Sequence, residues 1–290
     1  MELPEIIVGV MRLGSWGANF KTNDYIEFIE KSCEEGLNTF DHADIYGDYT
    51  TEEDFGKALK EKPQIRHEIK IITKCGINKV SENRPQYRIK SYDSGKEHIL
   101  QSVENSLRYL NTDFLDILLL HRPDFLMNPN EISEAFEQLK KSGKVLKFGV
   151  SNFTPSQFDL LNSSFPLITN QVEASITHLN PFEDGTLDQC LKHGTRPMAW
   201  SPLGGGAIFS GAGEKERRIR NVATPLMEKY DLELDQLLIA WLVKHPSRII
   251  PITGTAKIER VIKLKKCLEV EIEREDWYDL WQASTGSKIA

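Results

Sequence analysis

The sequence has no apolar run approaching the length of about 18 residues that a bilayer-spanning helix needs, and 27% of its residues are charged. A membrane-spanning protein is therefore not expected. Its start, Met1-Glu2-Leu3-Pro4-Glu5, lacks the basic and apolar regions of a secretory leader. Cysteine is scarce. Cys33, Cys75, Cys190 and Cys267 show neither C-x-x-C spacing nor metal-like clustering with the seven histidines, so no metal site is expected and a reduced, cytoplasmic setting is the simplest account. No Gly-x-Gly-x-x-Gly follows an apolar run. The only dense glycine stretch, Gly204-Gly205-Gly206, lacks that spacing, which argues against a Rossmann-type dinucleotide domain. Basic residues are in deficit, 36 against 43 acidic, for a net charge of -7. This balance opposes nonspecific nucleic-acid binding and leaves any anionic ligand to local positive groups. No long Gly/Ser/Pro linker, low-complexity tract or single-sign charge block divides the chain, so residues 1–290 read as a single domain.

What is present is an alternation. Short apolar runs occupy residues 5–10, 38–41, 68–73, 115–120, 147–151, 167–172, 197–201 and 249–252. Between them lie amphipathic stretches such as Tyr25-Ile26-Phe28-Ile29-Cys33, His98-Ile99-Val103-Leu107-Leu110 and Ile132-Phe136-Leu139, spaced as the core-facing stripe of a helix. Strict β–α alternation implies a parallel sheet, and eight units imply closure into an α/β fold of the (β/α)8 TIM-barrel type. An open doubly wound sheet is the structural alternative. Residues 78–95 and 204–218 are longer than a minimal connection and read as loops over a ligand.

Several runs close on a polar residue: Asp41, Lys74 and His121 end the second, third and fourth, and Tyr46 follows Asp41 closely. In a parallel barrel all such strand ends converge on the face where the chemistry is done. Asp, Tyr, Lys and His form a proton-donating set. A tyrosine titrates near ~10 in water, and a neighbouring ammonium favours its phenolate, so Lys74 is expected to bring Tyr46 closer to working pH. Asp41 would keep Lys74 charged and aimed, and His121 would hydrogen-bond a carbonyl. His42 and Asp44, in the same segment, read as structural, with His42 turned away from Asp41 and Asp44 capping the turn. Cys75 beside Lys74 reads as a small buried filler.

Seven segments in order resemble the motifs of the aldo-keto reductases: Phe40-Asp41-His42-Ala43-Asp44-Ile45-Tyr46-Gly47, Thr73-Lys74-Cys75-Gly76, Leu120-His121-Arg122-Pro123-Asp124, Phe148-Gly149-Val150-Ser151-Asn152-Phe153, Asn170-Gln171-Val172-Glu173, Ala199-Trp200-Ser201-Pro202-Leu203-Gly204 and Gly254-Thr255-Ala256-Lys257-Ile258-Glu259-Arg260. The resemblance implies a (β/α)8 barrel that transfers hydride between NADP(H), with NAD(H) possible, and a small carbonyl or alcohol substrate. It implies Tyr46 as the proton donor, with Asp41, Lys74 and His121 completing the catalytic set. Ser151, Asn152 and Gln171, whose donors and acceptors suit a carboxamide, stand where the family holds the nicotinamide amide. Trp200 stands where an aromatic ring stacks on the nicotinamide, and Ser201, Pro202, Leu203 and Gly204 would line the pyrophosphate.

Gly254 and Thr255 precede an expected helix start at Ala256. Lys257 and Arg260 there oppose the helix dipole, a placement that an anion such as a 2'-phosphate between them would favour. Three features differ from the family pattern: few residues precede the first run, where relatives carry a β-hairpin; Lys263 and Leu264 replace an acidic-then-Asn pair; and the stretch after Trp277 is short. Two other readings share the fold. One is a dinucleotide-binding, redox-sensing regulatory subunit with little turnover. The other is an isomerase or aldolase with Lys74 forming a Schiff base, which leaves Tyr46, His121 and the amide and aromatic positions unexplained. Nothing in the sequence specifies a protein partner.

Overall fold

A computed structural model describes residues 3–289. Among the described residues there are ten strands: β1 (Ile7–Gly9), β2 (Thr39–Asp41), β3 (Lys70–Cys75), β4 (Ile77–Asn78), β5 (Ser91–Tyr92), β6 (Leu115–Leu120), β7 (Val145–Ser151), β8 (Asn170–Glu173), β9 (Met198–Trp200) and β10 (Ile250–Thr253). Eight of them form a closed barrel in the order β1-β10-β9-β8-β7-β6-β3-β2, the (β/α)8 architecture that the alternation implies. Each expected apolar run carries one of these eight. The chain clusters into two compact units: residues 7–171 with 254–258, and a second unit built mainly from residues 172–253 and those after 258.

In the first unit, β1, β2, β3, β6, β7 and the start of β8 run parallel, with Gly9 opposite Asp41, Asp41 opposite Ile72, Lys74 opposite Leu119 and Ser151 opposite Gln171. This register brings the polar residues at the strand ends to one level. The opposite ends of β3 and β6 are pinned by Arg66. Its buried guanidinium donates to the Ile69 and Phe114 carbonyls, to Thr112 and to Asp116 at 2.9 Å, and lies 3.9 Å from the Phe114 ring centroid. Asp116 also accepts from the Ile71 amide. The helix Thr22–Glu34 turns Tyr25, Ile26, Phe28 and Ile29 inward, and Lys96–Tyr109 turns in Ile99, Val103 and Leu107, as the spacing predicts.

The second unit centres on the helix Leu234–Val243, which is buried along nearly its whole length. Trp241 stacks on Trp277 of the helix Arg274–Thr285, with ring centroids 4.9 Å apart and planes 9° from parallel. Each indole N–H donates to the other residue's carbonyl at 3.0 Å. Trp281 and Phe182 complete the cluster. Glu5 is clamped by Arg196 at 2.8 Å and Arg248 at 3.0 Å, and Arg196 also holds the Leu3 carbonyl.

Both expected loops contain regular structure. Residues 77–92 include the antiparallel pair β4–β5, in which Ile77 faces Tyr92. The stretch after β9 holds a 3-10 turn at Gly204–Gly206 and a helix at Ala207–Ser210, and the helix Glu214–Tyr230 begins within it. Among the described residues, no helix is long and apolar enough to cross a membrane.

Candidate active site

Lys74 is the hub of the first unit's polar cluster. Its side chain is fully buried, and Nζ donates to Asp41 Oδ2 at 2.7 Å, to the His42 carbonyl at 2.7 Å and to Tyr46 Oη at 3.1 Å. A primary ammonium has three donors, and all three are used. Asp41 reaches β8 through its other oxygen, which accepts from Gln171 Nε2 at 2.9 Å. The His121 ring stands nearly perpendicular to Tyr46, with centroids 6.1 Å apart. Burial and then the cations Lys74, Arg122 and Lys90 hold its imidazole well below the usual histidine range, so it is neutral at neutral pH. His121 Nδ1 is buried without a hydrogen-bond partner.

The phenol departs from the expectation. Burial raises the Tyr46 pKa; Lys74 pulls it down, Asp41 pushes it up, and the net direction is upward. The ammonium is where the argument needs it, but in the free site desolvation of the phenolate outweighs its pull. Tyr46 is therefore protonated at neutral pH. Burial works against the Lys74 ammonium, but Asp41 and Tyr46 outweigh it and hold its pKa above the ordinary lysine value.

The three residues expected to hold a carboxamide join this network. Ser151 Oγ donates to the Gln171 carbonyl at 2.9 Å, and Asn152 Nδ2 donates to Ser151 Oγ at 2.7 Å and to the His121 carbonyl at 3.3 Å. Asn152 has φ +60°, a left-handed conformation that asparagine tolerates better than most residues and that is found disproportionately at functional sites. A Trp16 ring, 37% exposed, lies 6.3 Å from Tyr46 and donates its indole N–H to Asp48.

In the second unit, Trp200 ends β9 half-buried, and Ser201 after it has φ +49°. Pro202 is buried and Leu203 half-buried, and the Gly204 amide donates back to the Ser201 carbonyl at 2.8 Å. Gly204 has φ +56°, and a Cβ there would lie 2.2 Å from Thr177 Oγ1, so only glycine fits. The chain thus turns sharply at the end of this strand.

The expected helix start at Ala256 is corrected. Gly254 is exposed, the Thr255 hydroxyl accepts from the Lys257 amide at 3.2 Å, and the helix begins only at Ile258, ending at Lys263. Lys257 lies outside it, and Arg260, in the second unit, stands toward its C-terminal end, where a cation suits the dipole. Arg260 also has an anion already: its Nη2 lies 3.3 Å from Asp235 Oδ2 of the helix Leu234–Val243, with its guanidinium 5.6 Å from the Phe209 ring centroid. The dipole argument for a bound phosphate therefore falls, and what remains is an exposed guanidinium already paired with Asp235.

His42 packs edge-on against Phe55 at 4.5 Å with both ring nitrogens buried and unpartnered. Burial and then Lys74 push it down to about 3, so it stays neutral. Burial holds the Cys75 thiol well above its usual range, which makes it unreactive. One residue escaped the sequence reading. Glu52, on the helix Thr51–Glu61, accepts from Thr73 Oγ1 at 2.6 Å and Ser106 Oγ at 3.0 Å. Its signal was its place in the apolar stripe with Phe55 and Leu59, where a carboxylate is out of character. Among the described residues, no group of three or more His, Cys, Asp or Glu is arranged to hold a metal ion.

Known proteins are similar to this chain over nearly its whole length. The oxidoreductase YdhF of Escherichia coli (strain K12) is 42% identical across 99% of this chain and 96% of its own. A 6-dehydroglucose reductase of Agrobacterium fabrum is 39% identical across 100% of this chain and 97% of its own. Among solved structures, an aldo/keto reductase from Klebsiella pneumoniae in complex with NADP and acetate superposes with TM-score 0.77 at 26% identity, covering 96% of this chain and 90% of its own. The glycerol dehydrogenase of Gluconobacter oxydans, at 24% identity, shares the fold with TM-score 0.86 over 100% of this chain and 95% of its own. The sequence model of the Aldo/keto reductase family matches residues 5–284, and with a match of that extent the chain belongs to the aldo/keto reductase family.

Proposed function

We propose that the chain is an NADP(H)-dependent carbonyl reductase in which Tyr46 gives the proton and His121 orients the carbonyl. The observation that carries the reading is the Lys74 ammonium held 2.7 Å from Asp41 and 3.1 Å from Tyr46. When bound, the nicotinamide supplies or accepts the hydride. Tyr46, protonated at neutral pH, donates Oη–H to the carbonyl oxygen, and Lys74 stabilises the phenolate left behind. His121, neutral and with an unused ring nitrogen, offers a second hydrogen bond to that oxygen. In the oxidative direction Tyr46 is the base.

The residues fit the cofactor. Ser151, Asn152 and Gln171 form a connected donor–acceptor group, and Asn152 and Ser201 hold left-handed turns after their strands. Ser151, Asn152 and Gln171 would hold the carboxamide and Trp200 would cover the ring. Ser201, Pro202, Leu203 and Gly204 would line the pyrophosphate, and Gly254, Thr255, Lys257 and Arg260 would meet a 2'-phosphate. The NADP complex of the Klebsiella relative supports NADP(H) as the cofactor. Two relatives named 6-dehydroglucose reductase, at 39% and 31% identity, favour a sugar aldehyde as substrate, and half-exposed Trp16 beside Tyr46 offers an apolar face for a sugar ring. We read residues 1–290 as one functional domain. Four unpaired cysteines fit a cytoplasmic setting.

The test is the initial rate of NADPH oxidation with a panel of sugar aldehydes, simple aldehydes, ketones and quinones, in wild type and Tyr46→Phe. Turnover that falls by about 10²- to 10⁴-fold in the variant, with NADPH binding retained, supports the reading. NADPH binding without turnover in wild type favours the regulatory-subunit alternative, and joint loss of binding and turnover in the variant removes the role given to Tyr46.

A further inference from the structure

Behind Lys74, on the side away from the expected substrate, lies a second buried polar cluster that the proton-donating set does not use. Glu52 is 3% exposed, and its hydroxyl partners Thr73 and Ser106 are buried as well. Thr73 immediately precedes Lys74, so successive residues of β3 point in opposite directions: one is tied to the outer helices through Glu52, and the other is tied to Asp41 and Tyr46. The Ser106 bond extends the tie to the helix Lys96–Tyr109. Three elements thus meet at one carboxyl group, one residue from the ammonium.

We propose that Glu52 is a positioning residue for Lys74: through Thr73 it fixes the part of β3 that carries the ammonium, and its charge state sets how strongly that ammonium supports the Tyr46 phenolate. The proposal rests on the carbonyl-reductase reading above. Both partners of Glu52 are hydroxyls, which can donate or accept. The carboxyl group can therefore gain or lose a proton without leaving its place, and titration changes charge rather than geometry.

Burial raises Glu52 to about 7, with Thr73, Ser106, Lys74 and Arg84 acting in the opposite direction. The other groups facing it are known. From the segment after β2 comes Asp44, which is itself pushed well up by burial and by Glu52. From β3 comes the Cys75 thiol, raised by burial and by both carboxyls. Above neutral pH, then, an extra buried negative charge stands behind Lys74, within its electrostatic reach, and opposes development of a second one on Tyr46.

The test compares wild type, Glu52→Gln and Glu52→Ala for kcat, KM and NADPH affinity across the pH range. Gln keeps the shape and removes the titration. It should match wild type at about pH 6 and turn over about three-fold faster at about pH 8.5, where wild type carries the added charge. Ala frees Thr73 and Ser106 and should lower kcat about ten-fold at every pH, with KM and NADPH affinity within about two-fold of wild type. A Gln variant whose profile follows wild type throughout, or an Ala variant that loses only NADPH affinity, overturns the proposal.

If wild type reduces no carbonyl, the functional reading fails separately, and the Glu52–Lys74 coupling is still readable. The carbon-13 signal of the Glu52 carboxyl, assigned by its loss in Glu52→Gln, should titrate near about 7 and move upward in Lys74→Met. The same midpoint in both proteins overturns the coupling.

Discussion

Lys74 and Asp41 should be worth much more to each other than either is to the rest of the fold. Lys74→Met leaves Asp41 buried with the Gln171 amide, at 2.9 Å, as its remaining side-chain donor. Asp41→Asn leaves a buried ammonium with neutral acceptors only, among them the His42 carbonyl at 2.7 Å and the Tyr46 hydroxyl at 3.1 Å. Breaking a buried pair by removing one partner typically costs about 3–5 kcal/mol, because the abandoned charge stays in a medium that cannot solvate it. Each single variant should therefore lose about that much. The double variant has no abandoned charge and should lose about as much as one single, leaving a coupling energy of at least about 2 kcal/mol. Urea unfolding at neutral pH, followed by far-ultraviolet circular dichroism, reads this directly. At a slope of about 3 kcal/mol per molar, each single moves the midpoint down by about 1–1.7 M. If the single losses add to within about 0.5 kcal/mol of the double, the two groups are independent, and the argument that Asp41 holds the ammonium for Tyr46 fails.

Arg260→Ala should weaken NADPH binding about 10- to 100-fold while changing NADH binding less than about two-fold, as expected for loss of one charged contact; equal losses would show that Arg260 serves only Asp235. Gly56→Ala should destabilise by at least about 1–3 kcal/mol, because the added Cβ would lie 1.9 Å from the Tyr109 carbonyl oxygen of the neighbouring helix. An unchanged melting temperature would mean that the two helices part without cost. His42, held down at about 3 against an ordinary 6.5, is neutral in the folded state across a range where the unfolded chain is protonated. Its contribution is thus complete above about pH 6.5 and is lost as pH falls toward 3, by about 5 kcal/mol at the end of that range. Replacing His42 with leucine should flatten this acid limb, and parallel stability curves for the two proteins would contradict the assignment.

The strand ends were legible because a buried parallel strand is a dense apolar run and a polar residue closing it stands out, as Asp41 and His121 do. Lys74 was legible in the same way, although β3 continues through Cys75. The pair β4–β5 was not, since two-residue strands show no alternation to read. The short helix Ala207–Ser210 follows a glycine cluster that reads as pure loop. The Ile258 helix start was misplaced because the positive residues around it fit either a phosphate site or an ion pair, and Asp235, which decides between them, lies far away in sequence. The Tyr46 pKa direction was missed because proximity to Lys74 is visible in a motif but the depth of burial is not. Glu52 needed its partners, Thr73 and Ser106, to be seen in space.

The mutual clasp of Trp241 and Trp277 has a spectroscopic consequence. Of the five tryptophans, Trp241, Trp277 and Trp281 form one stack in the second unit together with Phe182, while Trp16 alone lies in the first. Indoles this close and this parallel share their excitation. The stack should give an exciton couplet in circular dichroism and a fluorescence signal dominated by energy transfer among neighbours. Intrinsic emission will therefore follow the melting of the helix Arg274–Thr285, whereas Trp16, beside Tyr46, and Trp200, at the end of β9, are the optical probes that remain once the stacked indoles are replaced by phenylalanine.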